Sequence, residues 1–320
     1  MNSPRTPTAG TAEGHYRDLI ARAAALGPLR TAIAHPCDES ALRSALDAAN
    51  AGLIGPILVG PQARITALAR EHGLDLAGLT LMDAPHSVAS AARAVELVRT
   101  GEASLLMKGS LHSDELLAAI TARDAGLRTG RRISHVFVMD VPSYPEPLFV
   151  TDAAVNIFPD LAAKRDIVQN AIDLHLGLGL GRPRVAILSA VETVTTSIPS
   201  TIDAAALCKM ADRGQITGAE LDGPLAMDNA ISLEAARIKG LTSPVAGRAQ
   251  ILVAPDLEAG NMLAKNLTFM AGADAAGLVL GARVPVILTS RADTLKTRLA
   301  SCAVAVLYAD ARLRQPGLGG

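Results

Sequence analysis

Tryptophan is absent from this 320-residue sequence, and phenylalanine and tyrosine number only four and three. A single-stranded nucleic-acid platform stacks bases on aromatic rings, so that class finds little support. Neither sign of charge dominates: 30 Lys and Arg face 31 Asp and Glu, for a formal net charge of −1. Such a balance supplies no broad basic field for nucleic acid or an anionic membrane surface. Cysteine occurs three times, at Cys37, Cys208 and Cys302, far apart and odd in number. That offers neither a disulfide framework nor zinc spacing, and suits reduced thiols in a cytoplasmic protein. No apolar run reaches the roughly 18 residues of a membrane helix. Met1 to Gly14 is rich in Thr, Pro, Gly and Ala, has no apolar stretch of the signal-peptide kind, and reads as a loose tail.

Two phosphate-chemistry motifs are missing as well. No Gly-Lys-Ser or Gly-Lys-Thr triplet occurs, which removes the Walker A loop, and there is no Gly-x-Ser-x-Gly elbow. Gly177-Leu178-Gly179-Leu180-Gly181 has a dinucleotide-loop look, but it follows a helical pattern and precedes a strand. That is the reverse of the required order and reads as a helix C-cap and turn.

What the chain does have is apolar mass, 49% of residues, enough for one large or two medium domains. Short apolar runs alternate with longer helical patterns. Strands are expected at Thr31–His35, Pro56–Gly60, Leu79–Met82 and Ala103–Met107. Helices are expected at Ser40–Ala51, Gln62–His72, Ser87–Arg99 and Ser113–Ala122. This βαβα rhythm predicts a parallel sheet covered on both faces. Near Gly126–Arg132 the rhythm changes. Ile133–Asp140 and Leu148–Thr151, joined by a turn holding Pro142, Pro145 and Pro147, read as a hairpin-like insert. A domain boundary is expected at about residue 132. The rhythm then resumes, with a helix at Leu161–Leu178, a strand at Arg184–Ser189 and a helix at Thr201–Ala211. A strand at Gly218–Leu221, a helix at Asn229–Lys239, a strand at Ala249–Val253 and a helix at Asp256–Met270 follow. Strands Gly277–Leu280 and Val284–Leu288 and a last helix opened by Asp293 close the chain.

Polar clusters gather where strands run out. Val286-Ile287-Leu288 stops at Thr289-Ser290-Arg291, with Asp293 just beyond. A strand that delivers Ser-Arg to a helix N-terminus suits an anion, although a plain strand-turn-helix with a surface arginine reads the same. The stretch Ser189 to Thr201, with Thr193 in its middle, is either a phosphate cradle or a polar loop capped at Ser200. Asp222-Gly223 reads as turn chemistry and Asp228 as an N-cap, with a carboxylate metal pair as the costlier alternative. Asn261 and Lys265 share a helix face at i, i+4, facing either a cleft or solvent. Val150 to Asp160 is a further polar cluster, or simply a capped connection. Among the histidines, His112 and His135 lie near a strand end and a strand start, better placed than His72 and His86. Open α/β sheets bind ligands at the carboxyl ends of their strands, so these clusters converging on one cleft would suit a phosphorylated or acyl-carrying ligand.

Jointly, Pro255-Asp256-Leu257-Glu258-Ala259-Gly260-Asn261 with Lys265, Pro285 to Arg291, and Asp222-Gly223-Pro224 resemble the phosphate acetyltransferase/phosphate butyryltransferase family. The resemblance covers about residues 28–309, and its central and C-terminal stretches look closest to the branch fused behind an enoyl-CoA hydratase-like domain. It implies two α/β domains of isocitrate/isopropylmalate-dehydrogenase-like architecture with a cleft between them: 1–132 plus 279–320, and 133–278. It implies a homodimer that converts acyl-CoA and phosphate to acyl phosphate and free coenzyme A, acetyl before butyryl, without a metal or cofactor. Ser290 would hydrogen-bond the carbonyl oxygen as it becomes an oxyanion, and Arg291 would hold phosphate. His112, Ser113, Thr193, Asp222, Asn261 and Lys265 would bind substrate, with Asp293 as the third catalytic residue. Two departures stand out. The acidic residue several positions past the Ser-Arg pair falls on Thr297 here, with Asp293 nearer. The arginine expected on the helix after His112 is replaced by Leu116-Leu117-Ala118-Ala119, leaving Lys108, Arg131 or Arg132 to supply the charge. A metal- and NAD-dependent decarboxylating dehydrogenase of the same architecture would need a set of Asp ligands on adjacent turns and a cofactor loop, and this sequence shows neither. A catalytically weak acyl-CoA-binding module that partners a hydratase is the remaining alternative.

Overall fold

The computed structural model describes residues 13–289 and 293–319. In chain order the first half runs α1 (Glu13–Ala24), β1 (Leu29–Ala34), α2 (Glu39–Asn50), β2 (Ile54–Gly60), α3 (Gln62–Glu71), β3 (Thr80–Asp83), α4 (Ser87–Arg99), β4 (Leu105–Lys108) and α5 (Ser113–Thr121). It continues with β5 (Ser134–Asp140), β6 (Leu148–Thr151), α6 (Leu161–Gly177), β7 (Arg184–Leu188), α7 (Pro199–Asp212), β8 (Glu220–Leu225), α8 (Met227–Ile231) and α9 (Leu233–Ile238). Last come β9 (Ile251–Val253), α10 (Leu257–Ala271), β10 (Asp274–Leu280), β11 (Val286–Ile287) and α11 (Leu295–Arg314).

Among the described residues, eleven strands form one mixed sheet in the order β3-β2-β1-β4-β11-β10-β5-β6-β9-β7-β8. β3, β2, β1, β4 and β11 are parallel neighbours, and so are β6, β9, β7 and β8. Between these two blocks, β10 and β5 run antiparallel to each other, β10 also to β11 and β5 also to β6. The hairpin-like insert is therefore real, and β11 returns the chain to the first block. Apolar clusters lie on both faces of the sheet. α11 is buried on nearly every side because α1, α2 and α6 pack around it, so its sequence shows no amphipathic stripe.

Side-chain caps fix several helix starts. Asp38, Asp160 and Asp256 accept the N–H groups of Ala41, Ala163 and Ala259 at 2.8, 2.8 and 2.9 Å. Other expectations need correction. The chain from Glu13 is helical, not a tail, and α1 is held by Tyr16, whose hydroxyl donates to Val138 O at 2.5 Å and accepts from Ala276 N–H at 2.8 Å. Asp222-Gly223 is not a turn but the middle of β8, and Pro224 is tolerated there because β8 is an edge strand. The helix expected over Asn229–Lys239 breaks at Ser232, whose Oγ caps α9 through Ala235 N–H at 3.3 Å. Caps expected at Ser200, Asp228 and Asp293 fall instead on Ile198, Ala226 and Thr294, and α5 is capped at His112. At α11 the reason is that Thr294 Oγ1 takes the Thr297 N–H at 3.2 Å.

Candidate functional site

A cavity of about 720 Å³ lies over the antiparallel junction, within the size range of small-molecule sites. Lys108 enters from the end of β4 and Ser113 from the first turn of α5. His135 and Phe137 come from β5, two residues apart and so on one face of the strand. α10 gives Asn261, Ala264, Lys265, Thr268 and Phe269, while Asp274 and Ala275 open β10. The far wall is Leu288 and Thr289, then Asp293, Thr294 and Thr297.

α10 is seated by a close approach. Gly260 is buried where a Cβ would stand 2.3 Å from Asp152 O, so only glycine lets the helix lie flush on the turn after β6. Asn261 Nδ2 then donates to Ala153 O at 3.0 Å, which orients that side chain at the cavity wall. The turn itself is organised by Asp152, whose carboxylate accepts the N–H groups of Ala154, Val155 and Asn156 at 2.9, 3.0 and 3.2 Å.

The wall is mixed in charge. Lys108 Nζ donates to Gly109 O at 3.4 Å. Lys108 also borders a small adjoining cleft with Asp38, Ser40 and Thr289. Lys265 is exposed on α10. Asp274 pairs with Lys296 of α11 at 2.7 Å. His135 is 2% exposed and meets Phe137 edge-on at 4.4 Å. Burial lowers its pKa to about 4, a pull that outweighs the opposing charge of Asp152.

The structure thus brings Ser113, Asn261, Lys265 and Asp293 together. His112 precedes Ser113 as the exposed N-cap of α5, its backbone N–H donating to Glu115 Oε2 at 2.9 Å. Thr193 and Asp222 do not line the cavity. Thr193 is exposed in the loop after β7, and Asp222 lies on β8, at the opposite edge of its block from β6. Asp222 Oδ1 accepts Gly223 N–H at 2.8 Å. Ser290 and Arg291 lie outside the described residues, and cavity-lining residues flank them on both sides. Of the three substitute cations, Lys108 lines the cavity, while Arg131 binds Asp173 and Arg132 binds Asn156. Phe137 was missing from the sequence-based site, and His135, one of the two better-placed histidines, was left out of its substrate-binding set. The period-two pairing on β5 was the available signal, but it marks a buried face and a ligand face alike. Among the described residues no group of three or more His, Cys, Asp or Glu is arranged to hold a metal ion.

Comparison with known proteins gives a consistent picture. Residues 87–306 match the family model described as phosphate acetyl/butaryl transferase. The chain is 69% identical to a phosphate acetyltransferase of Rhizobium meliloti, over 93% of this chain and 94% of that protein. It is 40% identical to a phosphate butyryltransferase of Clostridium acetobutylicum, over 92% of this chain and 98% of the relative. Among solved structures, a branched-chain phosphotransacylase from Enterococcus faecalis V583 superposes with a TM-score of 0.76 at 30% identity, covering 88% of this chain and 99% of that one. A 4-hydroxythreonine-4-phosphate dehydrogenase from Burkholderia phymatum, 14% identical with a TM-score of 0.51 over 88% of this chain and 98% of that one, shares the fold alone. The dehydrogenase-like architecture expected from the sequence is thereby met.

Proposed function

As this chain belongs to the phosphate acetyl/butaryl transferase family, we propose that it transfers an acyl group, acetyl in the first place, between coenzyme A and inorganic phosphate. The observation that carries the reading is the cavity, whose wall holds Thr289 and Asp293, the described residues nearest Ser290 and Arg291 in sequence, together with Lys108 and Lys265. Two cations favour an acyl phosphate dianion by charge. Ser290 and Arg291 enter this reading through the family resemblance: the serine stabilises the developing oxyanion and the arginine grips phosphate. Ser113 and Asn261 add polar contacts, and Asp293 completes the catalytic set. The chemistry is then electrostatic and positional, with coenzyme A as substrate and no resident cofactor.

Acetyl is favoured because the 69% identical relative is named an acetyltransferase and the named butyryltransferase is at 40%. Butyryl transfer is the second reading, favoured by one observation: Phe137, Ala264, Ala273, Ala275 and Leu288 give the cavity an apolar side that could take a longer chain. A homodimer and a cytoplasmic setting belong to the same proposal. Exposed Phe158, Met262, Phe269 and Met270 offer apolar surface for a second copy, and no helix of the described residues is long and apolar enough to cross a membrane. The two-lobe division at about residues 132 and 279 also stays a proposal, since one sheet runs through both parts.

The test is direct. The protein is incubated with acetyl phosphate and coenzyme A, without metal or nicotinamide, and thioester formation is followed by ultraviolet absorbance. Turnover is expected with acetyl phosphate. No turnover with acetyl, propionyl or butyryl phosphate would overturn the reading.

A further inference from the structure

His135 carries an unmet requirement. Its side chain is almost wholly buried in the cavity wall, yet Nδ1 finds no hydrogen-bond partner among the described residues. An unsatisfied buried polar atom costs about 1–3 kcal/mol, which folding by itself gives no reason to keep. The other ring nitrogen is kept clear by its neighbour: a Cβ on Gly277 would stand 3.0 Å from Nε2, and glycine supplies none. With Nδ1 sealed in the wall, Nε2 is the nitrogen left with access to the cavity. Phe137, edge-on at 4.4 Å, holds the ring from one side.

The Asp152 carboxylate acts on the ring, and Lys108, Lys265, Asp274 and Asp293 line the same cavity. Asp152 begins the turn after β6, with its carboxylate spent on backbone N–H groups. Lys108 and Lys265 are cations and cannot take a proton. Asp274 is held by Lys296 at 2.7 Å, and Asp293 has an interaction of its own. A neutral imidazole is the base this wall offers.

Resting on the acyl-transfer reading above, we infer that His135 is a further catalytic residue, its Nε2 accepting the coenzyme A thiol proton as sulfur attacks the acyl phosphate. The S–C bond forms and the C–O bond to the phosphate oxygen breaks. The bonding pair leaves with phosphate, and the imidazolium returns the proton to that oxygen. The ring ends neutral, and no proton is exchanged with solvent. In the other direction the ring takes its proton from hydrogen phosphate. Burial makes the free imidazole a weak base, but an acyl phosphate dianion entering the cavity stabilises the imidazolium and strengthens it.

The experiment compares wild type, His135→Gln and His135→Ala with acetyl phosphate and coenzyme A. His135→Gln is expected to lower kcat about 100-fold or more with both KM values within a few-fold. Added imidazole is expected to restore part of the rate to His135→Ala. A folded His135→Gln that keeps kcat within about threefold, or that loses only affinity for acetyl phosphate, overturns the inference and leaves the acyl-transfer reading standing. A wild type without turnover overturns both. Should the variants not fold, the acid limb of the wild-type pH profile decides. A limb that shifts strongly with temperature is that of an imidazole, and a limb that stays fixed is a carboxylate's and overturns the inference.

Discussion

At the scale of single residues, the site reads as donors and cations set around a neutral ring. If Arg291 grips phosphate, Arg291→Ala should raise the KM for acetyl phosphate by about 10- to 100-fold, matching the roughly 1.5–3 kcal/mol of a charge-assisted hydrogen bond. Steady-state kinetics with each substrate varied in turn checks this, and equal changes in both KM values would speak against a phosphate role. Two buried histidines also tie stability to pH. Burial lowers the pKa of both His135 and His175 from 6.5 to about 4, and His175 Nδ1 is tied to Gly181 O at 2.9 Å. Each is neutral when folded and binds a proton more readily when unfolded. Their contribution is therefore complete above pH 6.5, falls as pH drops towards 4, and then levels off. The loss is on the order of a few kcal/mol. Denaturant midpoints measured from pH 7 to pH 5 should fall steadily, and a flat profile would contradict the assignment.

At the scale of elements, α10 is the helix whose placement decides the cavity. Gly260→Ala would put a methyl group 2.3 Å from Asp152 O, forcing the helix away from the turn after β6. A loss of about 1–3 kcal/mol in unfolding free energy is expected, together with lower activity because Asn261 and Lys265 ride on the same helix. Wild-type stability in that variant would show the contact to be looser than described. The start of α11 is a second such point. Thr294→Ala removes the Oγ1 that accepts Thr297 N–H and should cost about 1 kcal/mol, read as a lower thermal midpoint.

At the scale of the whole molecule, one continuous sheet joins two parallel blocks through the antiparallel pair β10 and β5. α1 and α11 come from opposite ends of the chain and pack together on one face, so the first and last helices close the same core. If the apolar surface of Phe158, Met262, Phe269 and Met270 seats a second copy, sedimentation should give twice the 33.0 kDa chain mass. Met270→Glu should then shift the protein towards monomer. A monomeric wild type at micromolar concentration would rule out that use of the surface.

The sequence by itself determined the alternation of elements and the hairpin-like insert, while the return of the last segment to the first block was only what the family resemblance implied. The first two follow from local periodicity, from turn residues such as Pro142, Pro145 and Pro147, and from short apolar runs that can only be buried strands. It also placed Asn261, Lys265 and Asp293 among the candidates, since polar residues at strand ends stand out against an apolar chain, and the family resemblance added Ser113. Tertiary structure alone decided which candidates meet. Thr193 and Asp222 were read in the same strand-end clusters, but sheet order puts them after β7 and on the edge strand β8, outside the cavity lining, and order depends on crossovers that no local window contains. His135 stood out in the sequence only as a histidine near a strand start, and its role was undecided for the same kind of reason. On a strand, a buried histidine with a satisfied ring and one with an open nitrogen have the same sequence, and only the packing of Gly277 and Phe137 around it separates them.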